Sequence, residues 1–111
     1  MALVVFLSTA RSMKEGQRIG EELVKCKLAA CVNVIPGALS FFIWDKKIRR
    51  EKEVILLIKS EKKLTGEIIK KIQEIHSYSI PEVIYFAIDG GERKYLDWAK
   101  RSVKRPKRKN S

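Results

Sequence analysis

Few side chains in this sequence are of types that do chemistry, and their spacing narrows the choice. The only histidine, His76, directly follows Ile75 in what reads as the end of a helix. One imidazole does not make a tight copper or zinc site, because such sites gather three or four nitrogen, sulfur or carboxylate donors. A divalent cation at His76 would need Cys31, Glu82, Asp89 or a neighbouring subunit to complete its shell, and the plainer role for His76 is structural, lining a cleft. Cys26 and Cys31, with four residues between them, match neither a C-x-x-C redox pair nor a four-ligand zinc set. Both are expected as reduced, buried thiols that pack like small hydrophobes. Glu51 and Glu53 fall on one side of an extended segment, where paired carboxylates either face solvent beside lysines or line a cleft. No nucleophile stands beside a base, and there is no Gly-rich phosphate loop and no H-E-x-x-H helix, so binding rather than catalysis is expected, with no obligatory cofactor.

The elements that must position these groups belong to one domain. The chain has 111 residues, 45% of them apolar and 33% charged, which is globular composition. Its net charge of +11 is unevenly placed: Lys100, Arg101, Lys104, Arg105, Lys107, Arg108 and Lys109 fall in the last twelve residues with no acid among them, and setting these seven aside leaves +4. A terminal block of like charge is expected to stay solvated, adding weak, salt-sensitive attraction to nucleic acid. No apolar run approaches the roughly 18 residues that cross a bilayer, and Ala2 to Leu7 is too short for a secretory signal, so a cytoplasmic protein without membrane contact is expected.

Leu3-Val4-Val5-Phe6-Leu7 is a continuous apolar run, the pattern of a central strand covered on both faces. Ser12 stands three residues before Glu15, a capping-box spacing, and predicts a helix whose stripe is Ile19, Leu23, Cys26 and Ala30. Val32-Asn33-Val34-Ile35 resumes extended character, and Pro36-Gly37 marks a turn or bulge. Ser40-Phe41-Phe42-Ile43-Trp44 and the stretch from Ile48 to Ile58 predict the arms of a long hairpin across Asp45-Lys46-Lys47. Its turn has no Asn-Gly or Asp-Gly pair, which leaves the turn type open. Ser60 is placed to cap a second helix, with Glu61 in the first turn and Leu64, Ile68, Ile72 and Ile75 as the apolar side, ending near His76. Pro81 excludes further helix, Val83 to Ile88 predict the last strand, and Leu96, Ala99 and Val103 share one face of a short terminal helix. The order β-α-β-β-α-β predicts an α+β, ferredoxin-like sandwich over residues 1–103, followed by a basic tail over residues 104–111 that is dispensable for folding.

Five strings in this order resemble the CutA family: Leu28-Ala29-Ala30-Cys31-Val32-Asn33-Val34-Ile35-Pro36-Gly37-Ala38, Trp44 with Lys47, Glu53 with Ile58-Lys59, His76-x-Tyr78-x-x-Pro81-Glu82, and Tyr95-Leu96-x-Trp98. The resemblance implies a ferredoxin-like subunit, a homotrimer held by strand pairing, and a link to divalent-metal tolerance, copper in particular, or to ligand sensing at subunit interfaces. Large aromatics are too many for one small core to hide and are enriched where protein surfaces bury one another. Phe41, Phe42, Trp44, Tyr78 and Trp98 are therefore expected at an interface or in a cleft, the resemblance adds Lys59 and Glu82 to them, and His76 is the metal-binding candidate. Departures from the family pattern are specific. Trp44-Asp45-Lys46-Lys47 stands where the family often has Trp-Glu-Gly-Lys, Ser77 replaces the proline of His-Pro-Tyr, Ser8 replaces a cysteine, and of two adjacent histidines only His76 remains. The competing reading is a basic nucleic-acid-binding module of the same topology, with sheet aromatics as stacking platforms. Against it, the sequence has no string like that of RNA-recognition domains, and its positive charge lies mostly in the tail.

Overall fold

A computed structural model describes residues 2–105. Strand β1 (Leu3–Ala10) leads into helix α1 (Met13–Lys25), followed by the long strands β2 (Cys31–Trp44) and β3 (Lys47–Glu61). A 3-10 turn (Lys62–Leu64), helix α2 (Thr65–Ile75), strand β4 (Val83–Ala87) and helix α3 (Arg93–Ser102) complete the chain. The four strands form one antiparallel sheet in the order β2-β3-β1-β4, so each helical crossover skips a strand, which is the ferredoxin-like arrangement. The apolar run of β1 takes the central place expected of it.

Alternation along the strands divides the sheet into two unlike faces. Val4, Phe6 and Ala10 of β1 and Val54, Leu56 and Ile58 of β3 point to α1 and α2, where they meet Ile19, Leu23, Ile68 and Ile72 in the main core. Gly16 and Gly20 let α1 lie close on this face: a Cβ at Gly16 would stand 2.8 Å from Val34 Cγ1 and 2.9 Å from Val54 Cγ2. The other face carries Val5, Leu7, Ile35, Ile55, Leu57, Ile84 and Phe86. Helix α3 covers only its Leu3 end, through Ala99 and Leu96.

Beyond a bulge between Ile35 and Ala38, β2 and β3 leave the sheet as a two-stranded ribbon. Asp45 and Lys46 close it with φ of 54° and 64°, and two positive φ values at the central positions define the type I′ turn that the sequence left open. The ribbon helps stretch the molecule to 43 Å in its longest dimension.

Several local expectations fail because a longer-range partner wins. Ser60 and Glu61 do not start α2; they remain in the β3 ladder opposite Val4 and Leu3, and Ser60 Oγ donates to the Leu28 carbonyl at 2.6 Å. Helix α2 begins after the 3-10 turn, with no side-chain cap. Half of the capping box forms: Ser12 Oγ accepts from Glu15 N at 3.1 Å, but the Glu15 carboxylate turns away to another segment. Cys26 and Cys31 are free thiols, half-buried rather than buried. Lys104 belongs to the folded body, since its N–H donates to the Lys27 carbonyl at 2.8 Å and its Nζ pairs with Glu67 at 2.8 Å. Residues 106–111 of the expected tail lie outside the described residues.

Candidate functional site

The site is built from two segments that sequence keeps apart, the ribbon and residues 76–82 after α2. The position of the second segment is set by Glu15. Its carboxylate, almost fully buried, accepts from the Ser77 N–H and the Ser77 hydroxyl, each at 2.9 Å, and Arg18 adds a contact at 3.3 Å. Burial works against this charge, but the two Ser77 hydrogen bonds outweigh it and hold the carboxyl below its ordinary range. Arg18 also donates to the Ile75 carbonyl at 2.7 Å, so α1 grips the end of α2 and the segment beyond it.

His76 is buried, and both of its ring nitrogens are engaged. The Thr9 carbonyl, 2.7 Å from Nε2, can only accept, so Nε2 carries the hydrogen; Nδ1 then accepts from the Tyr78 N–H at 3.0 Å. No imidazole lone pair is left over, so a metal at His76 does not fit this geometry. Cys31, named as a completing ligand, pairs across strands with Lys59, which faces Val5, four residues along β1 from Thr9, a span of roughly 13 Å. Among the described residues no three His, Cys, Asp or Glu side chains cluster as metal ligands. His76 acts as a structural post: its ring lies 4.7 Å from that of Tyr78 and fixes where Tyr78 points.

Tyr78 crosses to the ribbon and donates from its hydroxyl to Glu53 Oε2 at 2.8 Å. Partial burial, then the hydrogen bond to Glu53, push the phenol well above its usual range, so it remains a donor at any physiological pH. Between ribbon and segment lies a cleft of about 930 Å³. Of the residues expected in a cleft, Phe41, Phe42, Trp44, Tyr78 and Glu82 line it, together with Glu51 and Glu53. Lys59 and Trp98 do not. Lys59 Nζ donates to Asn33 Oδ1 at 2.6 Å beside α3, and Trp98 packs at 5.6 Å, tilted by 42°, against Tyr95 of its own helix. Arg11 and Arg49, which also line the cleft, were not singled out in the sequence. The alternation that puts Arg49 on the same strand face as Glu51 and Glu53 was the signal available for one of them; nothing local marks Arg11.

Fold and site together define a ferredoxin-like α+β protein with a cleft beside a projecting β-ribbon, and comparison with known proteins makes the class specific. The family model described as CutA1 divalent ion tolerance protein matches residues 4–102. Protein CutA 1, chloroplastic, of Oryza sativa subsp. japonica is 36% identical over 103 residues, which are 93% of this chain but 58% of that protein; the chain thus spans little more than half the plant relative's length. The divalent-cation tolerance protein CutA of Thermus thermophilus is 33% identical over 99 residues, covering 89% of this chain and 96% of the relative. The crystal structure of CutA1 from Oryza sativa superposes with a TM-score of 0.92 at 35% identity, covering 94% of this chain and 95% of that one. The chain belongs to the CutA1 divalent ion tolerance family.

Proposed function

We propose that the protein acts as a homotrimer whose clefts hold a small ligand, and that this binding is its part in the response to divalent metal ions. The observation that carries the assembly is the uncovered sheet face. Ile84 and Phe86 of edge strand β4 are 54% and 52% exposed, and Ile35 of edge strand β2 is 43% exposed, on a face that helices leave open. An apolar face of this kind, flanked by two unpaired strand edges, favours a partner that covers both, and identical copies arranged in a ring do so without leaving a free edge. The cleft opens on the same side, because Glu53, Glu51 and Arg49 continue the alternation of Ile55 and Leu57 along β3, so a neighbouring copy would border it.

The open face is mainly aliphatic, with Val5, Leu7, Ile55, Leu57 and Ile84 around Phe86, and so lacks the aromatic platform on which a nucleic-acid module would stack bases. With no metal fitting His76, the metal response is assigned to the ligand that the cleft holds rather than to a bound copper ion.

Phe86→Glu tests the assembly. Phe86 is half-exposed in the single chain, so a charge there costs little unless a partner buries it, in which case it costs several kcal/mol per copy. Sedimentation should report about 38 kDa for the parent, three times the 12.8 kDa chain, and smaller species with native circular dichroism for the variant. A parent that sediments as a 12.8 kDa monomer, or a variant that keeps the full assembly, contradicts the proposal.

A further inference from the structure

The cleft gathers charges of both signs that do not neutralise one another. Among the described residues Arg11, Arg49, Glu51 and Glu82 make no ion pair and no side-chain hydrogen bond, and Glu53 gives one oxygen to Tyr78. Arg49, Glu51 and Glu53 alternate along β3 and so fall on one strand face, with successive Cα atoms about 6.8 Å apart. A guanidinium and a carboxylate at that spacing suit the two ends of a short dipolar molecule. Phe42, cross-strand partner of Arg49, and Trp44, two pairs further on, supply apolar walls and π faces on the same side. A carboxylate is held best by guanidinium groups, and an ammonium by carboxylates next to aromatic faces. The two arginines are outnumbered by the three glutamates, so the lining favours a ligand that carries an ammonium over a phosphate-rich anion.

We infer that the ligand is a small zwitterionic amino carboxylate of the free amino-acid class. Its carboxylate lies on Arg49 and Arg11, its ammonium lies among Glu51, Glu82 and the Trp44 ring, and its side chain rests on Phe42. This rests on the cleft reading made above.

Three probes of one skeleton separate the charges: L-phenylalanine, 3-phenylpropionate without the ammonium, and 2-phenylethylamine without the carboxylate. Binding is followed on the full chain by the indole N–H resonance of Trp44, with Trp98→Phe introduced so that Trp44 alone reports. L-Phenylalanine should shift the resonance, and each analogue should bind at least about tenfold more weakly, the loss expected when one charged anchor is left without its partner. Arg49→Gln should weaken L-phenylalanine without weakening 2-phenylethylamine, and Glu51→Gln should weaken it without weakening 3-phenylpropionate. Both positions are exposed, and sedimentation checks that each variant keeps the parent's mass. Equal binding of L-phenylalanine and 3-phenylpropionate, or tighter binding of ATP than of L-phenylalanine, overturns the zwitterion and leaves a ligand cleft in place. Silence of the Trp44 resonance with every probe and with ATP overturns the ligand cleft as well.

Discussion

Replacing Glu15 with glutamine should loosen the cleft from a position outside its lining. Glutamine keeps the shape, but it removes the charge: its oxygen can still accept from the Ser77 N–H, and its NH2 group donates to the Ser77 hydroxyl, which turns from donor to acceptor. A hydrogen bond to a charged group contributes about 1.5–3 kcal/mol. Exchanging two such bonds for neutral ones, worth about 0.5–1.5 kcal/mol each, costs about 2 kcal/mol in all, to which the half-exposed Arg18 contact adds at most a few tenths because solvent screens it. Urea unfolding at pH 7, at equal protein concentrations because assembly adds to stability, should show the midpoint falling with the slope unchanged. The pH dependence gives an independent check. The folded-state pKa of Glu15 is lowered from the ordinary 4.5, so its stabilisation is complete above that value and is lost as pH falls through the lowered one. The gap between parent and variant should therefore close in acid. A difference below about 0.5 kcal/mol at pH 7, within the range of an ordinary surface substitution, would refute the reasoning. So would a gap that persists unchanged at the lowest pH where both proteins still fold.

Lys46 occupies the second central position of the I′ turn at φ 64°, where a residue with a Cβ is strained by about 1–2 kcal/mol and glycine is not. After the backbone entropy that glycine adds to the unfolded chain, Lys46→Gly should stabilise each subunit by about 0.5–1 kcal/mol, read as a raised urea midpoint. Gly16→Ala should do the opposite, because its new Cβ meets two valine methyls at 2.8 and 2.9 Å; pushing α1 off the sheet should cost about 1–3 kcal/mol, visible as a lower melting temperature. Truncation after Arg105 should leave the melting temperature nearly unchanged, because the removed residues have almost no apolar surface. Weak retention on heparin should fall with the loss of Lys107, Arg108 and Lys109, and a fall of many degrees would show that the tail docks.

By itself the sequence determined the architecture, because architecture follows from patterns with short periods. The apolar run of β1 marked the central strand, the four-residue spacing of Ile19 and Leu23 set the buried side of α1, and Pro81 kept the segment after α2 from continuing as helix. The strings from Leu28 to Trp98 were enough to find the family, and the ribbon aromatics Phe41, Phe42 and Trp44 are among the residues that line the cleft. Only the tertiary structure decided what depends on partners far along the chain. Glu15 had the spacing of a capping box, yet its carboxylate binds Ser77, 62 residues away, because two donors there, one on each carboxylate oxygen, hold it more strongly than one amide of its own helix. Ser60 and Glu61 looked like a helix start, but pairing with β1 kept them in the sheet, since a ladder already formed along β3 is extended at little further entropic cost. His76 was a metal candidate by residue type, and only the approach of the Thr9 carbonyl and the Tyr78 amide removed its lone pair. The cleft itself exists because α1 fixes residues 76–79 opposite a ribbon that a bulge and a type I′ turn direct away from the sheet. Arg11, Tyr78 and Glu51 meet there from three separate segments, and no local period in the sequence records that encounter.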